Sequence, residues 1–215
     1  MMKKILFLLI AVSASSLIFA QEKKETKSEK KVDLSKRVSD HFVFQYGMDN
    51  WAGAPDSIRI KGKSRHFNAY FMLDKPFQNN PKFSVAYGVG FGSSNIFFDR
   101  NYVNIKSSST SLPFSRSVPN TDSGYYKKFK LTNIYLEAPV EIRYYSNPEN
   151  PNNCWKAALG VKIGTLLKTY TKGKDLQNKA GQSVYGAKYI MKEDNKKYMN
   201  ATRVSLSAKV GWGIY

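Results

Sequence analysis

The chain has 215 residues, with 34 Lys+Arg against 16 Asp+Glu, a formal net charge of +18, two histidines and one cysteine. A single cysteine excludes an internal disulfide or a thiolate metal cluster, so the fold must stand on packing and hydrogen bonds. Two isolated histidines show no metal-ligand spacing, and the excess positive charge calls for an anionic partner.

Taken in chain order, residues 1–20 read as a secretory signal peptide. Lys3 and Lys4 form a basic n-region, Ile5 to Val12 an apolar core extended by Leu17, Ile18 and Phe19, and Ala20 precedes a cut before Gln21. Ser13, Ser15 and Ser16 break the run, which is shorter than the roughly 20 apolar residues a spanning helix needs. Cleavage removes Lys3 and Lys4 and leaves about +16 of the +18. Export argues against nucleic acid as the anionic partner and points to the lipid phosphates of an outer leaflet. Residues 21–37 form a charged periplasmic tail: Gln21 to Lys31 contains no large apolar residue and cannot bury a core.

Residues 38–215 show period-two alternation, which places successive side chains on opposite faces of a strand. Phe42, Phe44, Tyr46 and Met48 open the series, and Phe67, Ala69, Phe71 and Leu73 follow, alternating with His66, Asn68, Tyr70 and Met72. Phe83, Val85, Tyr87, Val89 and Phe91 alternate with Ser84, Ala86 and three glycines. Ile134, Leu136, Ala138, Val140 and Ile142 oppose Asn133, Glu137, Glu141 and Arg143. Ala157, Leu159, Val161, Ile163 and Leu167 oppose Lys156, Gly160, Lys162, Gly164 and Lys168. Val204, Leu206, Ala208, Val210, Trp212 and Ile214 oppose Arg203, Ser205, Ser207, Lys209, Gly211 and Gly213.

A soluble sandwich would also alternate, but two features favour lipid on the apolar face. The strands are longer than the usual five or six residues and suit a tilted span. Aromatics crowd their ends, at Trp51, Phe77, Phe97, Phe98, Tyr102, Tyr144, Tyr145, Trp155 and Tyr170, as interfacial girdles do. The connections at 75–81 and 146–153 are short and rich in Pro and Asn, whereas 51–63, 99–128 and 173–200 are long, polar and basic. Short periplasmic turns and long external loops are the rule for membrane barrels. The fold class is therefore an all-β, antiparallel, up-and-down transmembrane barrel.

Ser64-Arg-His-Phe-Asn-Ala-Tyr-Phe-Met-Leu-Asp74, Gly92-Ser-Ser-Asn-Ile-Phe-Phe-Asp99, Tyr135-Leu-Glu-Ala-Pro-Val-Glu-Ile-Arg-Tyr144 and Ala157-Ala-Leu-Gly-Val-Lys-Ile-Gly-Thr165 together resemble the PorT-type outer-membrane β-barrel family of Bacteroidetes. The resemblance covers roughly residues 38–215. It implies an eight-stranded barrel in the outer membrane, no catalytic motif and, as an alternative to a structural or interaction role, an accessory role in a gliding-associated secretion system with secretion-machinery proteins as partners. Six strands are legible, and Tyr215 is out of phase with Trp212 and Ile214. The expectation is six strands of eight, with the carboxy-terminal hairpin missing, since an open sheet would leave unpaired edges in lipid.

The polar faces carry Glu137, Glu141 and Arg143 on one strand, Lys156, Lys162 and Lys168 on the next, then Arg203 and Lys209. In a small barrel these point into a lumen with room for little more than side chains. Glu137 and Glu141 are expected to pair chiefly with Lys156 and Lys162 and to plug the interior. No catalytic residue, cofactor or metal is expected. An enzymatic alternative would use His66 as base in lipid modification, but nothing in the sequence positions its partners. Outer-membrane lipids are the expected partners, with surface lipid phosphates at the basic loops.

Overall fold

The computed structural model describes residues 33–213 other than 35, 36, 38, 39, 63, 120, 122 and 123. The signal peptide, all of the tail but residues 33, 34 and 37, and the phase of Ile214 and Tyr215 lie outside the described residues. The alternating segments become β1 (Asp40–Met48), β2 (Arg65–Pro76), β3 (Phe83–Phe98), β4 (Tyr102–Val103), β5 (Phe114–Ser115), β6 (Tyr125–Tyr145), β7 (Trp155–Gln177), β8 (Ile190–Asp194) and β9 (Thr202–Trp212). All pairings are antiparallel, and the main sheet runs β1-β2-β3-β6-β7. β9 and β8 share the far edge of β7, β9 along Trp155–Thr165 and β8 along Tyr170–Lys174. β4 and β5 form a separate small hairpin within the 99–128 connection.

The six expected strands are the six long ones, and up to Leu167 on β7 the faces fall as the alternation requires. Phe42, Phe44, Tyr46 and Met48 of β1, Val89 and Phe91 of β3, Val140 and Ile142 of β6, Leu159, Val161 and Ile163 of β7 and Val204, Leu206 and Val210 of β9 are all exposed. Leu206 keeps 84% of its surface. With Phe67 and Phe71 of β2 also exposed, an apolar face left uncovered over six neighbouring strands makes sense only against lipid. The outward apolar rows run from Tyr144 to Ile134 on β6, which matches the roughly 9–11 residues of a tilted span.

β6 and β7 are longer than that, at 21 and 23 residues. At about 3.4 Å per residue they reach roughly 70–80 Å, so their upper halves stand outside the membrane beside the long loops. There the inside becomes apolar. Phe98, Tyr102, Val103, Ile105, Tyr126, Phe129, Leu131 and Leu176 form a buried cluster, packed by Ile60, Leu112, Phe114 and Met191 from the connections. Tyr126 is held neutral by burial, and then by the nearby Tyr189 and Glu193, so its phenol is pushed up to about 12. Burial and Glu193, which accepts from its hydroxyl at 3.2 Å, push the Tyr102 phenol up as well.

This cluster corrects the expected girdle. Phe98 and Tyr102 are interior residues of the external part, and Tyr145 is buried on the inner face, not at an interface. Phe83 beside Tyr144, at 5.2 Å between rings, and Trp155 beside Trp212, at 5.3 Å, form the outward aromatic pairs at the short-turn end.

Candidate functional site

The inner face of the sheet gathers most of the charges that the alternation assigns to it. Glu137, Glu141, Arg143 and Lys156 are buried, and Lys162, Arg203 and Lys209 are partly so. Their partners are not the expected ones. Glu137 is bonded to Arg203 and accepts from the Tyr70 hydroxyl at 2.5 Å. Glu141 accepts from Lys209 Nζ at 2.5 Å and from Arg143 Nε and Nη2 at 3.2 Å. Both cations of β9 therefore reach carboxylates on β6, across the intervening β7.

Glycine makes the crossing possible. The register places Glu137 opposite Gly164, and Gly164 opposite Arg203; on the other side it places Glu137 opposite Gly90, and Gly90 opposite Tyr70. One row across five strands reads Tyr70, Gly90, Glu137, Gly164, Arg203. Long side chains lie over the glycines and meet above them. A Cβ on Gly164 would stand 3.0 Å from Glu137 Cγ, one on Gly160 2.6 Å from Glu141 Cγ, and one on Gly90 2.6 Å from a Tyr70 ring carbon. Lys162, expected to pair with the glutamates, instead places Nζ 3.4 Å from the Tyr70 hydroxyl and 5.4 Å from its ring centroid. Contact between β7 and β2, which β3 and β6 separate in the sheet, requires the inner face to be curled.

Nearer the short turns a second cluster forms around Asp74, which is buried. Ser84 Oγ donates to its Oδ1 at 2.6 Å, and Arg143 Nη1 lies 3.9 Å from the same atom. Arg37 donates to its Oδ2 from Nε and Nη2, at 2.9 and 2.6 Å, and to the Pro81 carbonyl at 2.8 Å. The Arg37 guanidinium also covers the Tyr145 ring at 4.0 Å, and Lys156 Nζ lies 5.3 Å from the same ring. The end of the expected tail is thus anchored: Arg37, with its side chain 3% exposed, fills the inner face at the short-turn end. Neither Asp74 nor Arg37 stands out in the sequence. Asp74 is in phase with Met72 and Tyr70, and that phase is the only signal that could have found it.

Lys168 does not belong to the inner face. The β6–β7 register jumps from Tyr135 opposite Leu166 to Ile134 opposite Lys168, so Leu167 is an extra residue. Beyond it the inward phase of β7 passes to Thr169 and Thr171, both buried, and Lys168 is exposed on the outer face.

His66 Nδ1 lies 2.8 Å from Asp49 Oδ1, and Ser94 Oγ donates to Asp49 Oδ2 at 2.5 Å. The carboxylate therefore stands between the imidazole and the hydroxyl. The imidazole lies over Gly47, whose added Cβ would meet Cε1 at 2.6 Å. Among the described residues no group of three or more His, Cys, Asp or Glu could hold a metal ion.

Residues 17–215 match the model of the outer membrane protein beta-barrel domain. No curated protein and no solved structure matches the chain significantly. The match spans most of the chain and agrees with its all-β antiparallel sheet and lipid-ready outer face: the chain belongs to this family of outer-membrane β-barrel proteins.

Proposed function

We propose that the protein serves as a structural or interaction barrel of the outer membrane, with an interior sealed by paired side chains and no catalytic role. The observation that carries the reading is the inward row Tyr70, Gly90, Glu137, Gly164, Arg203, extended by Glu141 with Lys209 and by Arg37 with Asp74. Side chains that bond one another across intervening glycines fill the space that a pore would need. In a planar bilayer the full-length protein is expected to carry little current; large, steady conductance from the unmutated protein would overturn the sealed reading.

A non-catalytic role is supported by the arrangement at His66. Acyl transfer needs the base in contact with the nucleophile and the carboxylate behind it, whereas here Ser94 donates to Asp49. His66→Ala should leave any activity on surface lipid unchanged. The four motifs of PorT type lie on β2, β3, β6 and β7, which are neighbours in the sheet. They support a narrower form of the interaction reading, an accessory barrel of a secretion system in Bacteroidetes, which capture of secretion-machinery proteins on the intact barrel would test. Export by a signal peptide cleaved before Gln21 belongs to the same reading, and mass spectrometry of the native protein should find Gln21 at the amino terminus.

A further inference from the structure

The outer face changes chemistry just above the apolar belt. On β6 the outward series Ile142, Val140, Ala138, Leu136 and Ile134 gives way to Lys130 and Lys128. On β7, past the extra Leu167, it gives way to Tyr170, Lys172 and Lys174, and β8 adds Lys192. The register sets Lys130 opposite Lys172 and Lys172 opposite Lys192, with Lys128 opposite Lys174 two residues higher. Three lysines therefore lie side by side across three hydrogen-bonded strands about 4.8 Å apart, and a fourth and fifth stand directly above.

Like charges directly opposite one another oppose strand pairing, and among the described residues no ion pair relieves them. Asp194 is the one acid that β8 turns outward, opposite Tyr170, and among the described residues no ion pair joins it to these lysines. What the lysines do touch is aromatic or amide. The Nζ atoms of Lys130 and Lys192 stand 6.0 and 4.5 Å from the centroid of the Tyr170 ring, and Lys130 donates to Asn95 Oδ1 at 2.7 Å. These contacts hold the ammonium groups on the outer surface without neutralising them.

The height of the band says what neutralises it. Lys130 is four residues beyond Ile134, a rise of roughly 10 Å along a strand tilted by about 40°. That lies just above the headgroups, which occupy roughly 5–8 Å on each side of the hydrocarbon, and lysine stems that bend back toward the interface bring their ammonium groups down to them. Tyr170 is the kind of residue found at that level.

We propose that the Lys130, Lys172 and Lys192 row, with Lys128 and Lys174 above it, is a docking site for the phosphate groups of anionic lipids in the outer leaflet. The lipid supplies the charge that three adjacent strands leave uncompensated, while its chains lie on the contiguous apolar face below. The proposal rests on the outer-membrane reading. It moves lipid recognition from the flexible loops to a rigid, registered piece of sheet.

The test uses the full chain reconstituted in phosphatidylcholine vesicles and then titrated, in mild detergent, with diphosphoryl lipid A and with the same lipid stripped of its phosphates. Native mass spectrometry counts the lipid retained. The phosphorylated lipid should be retained in preference. Lys130→Gln/Lys172→Gln/Lys192→Gln should weaken retention by on the order of a hundredfold, the triple arginine variant should restore it, and Lys179→Gln/Lys188→Gln in the loop beyond β7 should not change it. Removing like charges relieves the sheet, so the glutamine variant should insert as well as the parent. Equal retention of the two lipids, or no loss in the glutamine variant, would overturn the proposal. Displacement by millimolar inorganic phosphate alone would overturn it too, by making the site one for free phosphate. Failure of the unmutated chain to insert into vesicles would refute the membrane reading and the docking site with it, whereas insertion without preference would refute the docking site only.

Discussion

Arg203 and Glu137 are bonded across β7 but do not share an environment: the Glu137 side chain is 1% exposed and that of Arg203 32%. Removing either partner therefore has unequal consequences. Arg203→Met leaves a carboxylate buried, with the Tyr70 hydroxyl as its remaining donor. Stranding one charge of a buried pair costs about 3–5 kcal/mol. Glu137→Gln leaves a guanidinium that can turn toward solvent, and the loss is that of charged hydrogen bonds, about 1.5–3 kcal/mol. The double variant strands nothing and should lie well short of the sum, by about 1–3 kcal/mol of coupling between directly bonded groups. Urea-driven unfolding from lipid vesicles, followed by tryptophan emission and by the shift of the folded band on unheated gels, measures all four corners of the cycle. The glycine-crossing geometry is refuted if the two single changes add without coupling, or if Arg203→Met costs no more than Lys162→Gln.

Val161, outward on β7 opposite Val140 and Leu206, should sit near mid-bilayer; Val161→Arg should impair insertion by about 2–4 kcal/mol, measured against Lys162→Gln one residue away, which should cost less. Gly160→Leu should prevent correct insertion outright, because its Cβ would meet both Glu141 Cγ and the Val140 carbonyl oxygen at 2.6 Å and backbone cannot step aside; recovery of a normal folded gel band would contradict this. Above the membrane, Tyr126 is raised from 10.0 to about 12 in the fold. Its contribution is fully present below pH 10 and is lost as the unfolded phenol ionises and pH climbs to about 12. Tyr126→Phe should flatten the loss of stability across that window, read by unfolding midpoints at stepped pH.

Within the lipid belt, the facing of every long strand could be read from the sequence because side-chain alternation is local. Val140 against Glu141, or Leu206 against Ser207, needs only the period of the pleat. The partners could not. Neighbouring-strand reasoning pairs Glu137 and Glu141 with Lys156 and Lys162, but the residues opposite the glutamates on β7 are Gly164 and Gly160. A glycine offers no partner and clears the way to one, so the relevant neighbour is one strand farther off. The spacing held a hint: two glutamates four apart face two glycines four apart, and antiparallel register can align both pairs at once. Lys168 was misassigned for a different reason. Strict alternation carries it inward, and only the extra Leu167, invisible to a count by twos, turns it out. Arg37 was lost at the end of residues 21–37, a segment whose first eleven positions carry no large apolar residue and read as solvated tail.

The long connections were the least legible part, because polarity changes sides within continuous strands. On β6 the inward phase runs unbroken from Tyr145 to Phe129, yet its content passes from Arg143, Glu141 and Glu137 to Leu131 and Phe129, while the outward content passes from Ile142 and Val140 to Lys130 and Lys128. Lipid wants apolar side chains outside and water wants them inside, so one strand crossing from one solvent to the other must invert its pattern near the boundary. Between the two regimes, at Ile134, Asn133 and Thr132, the sequence alternates by neither rule, and the residues beyond look like a polar loop. The inversion is itself a measurement of depth. It places the upper edge of the lipid belt at Ile134 from side-chain preference alone, and the lysine row two positions past Thr132 is then the first fully basic layer that the chain shows to the leaflet.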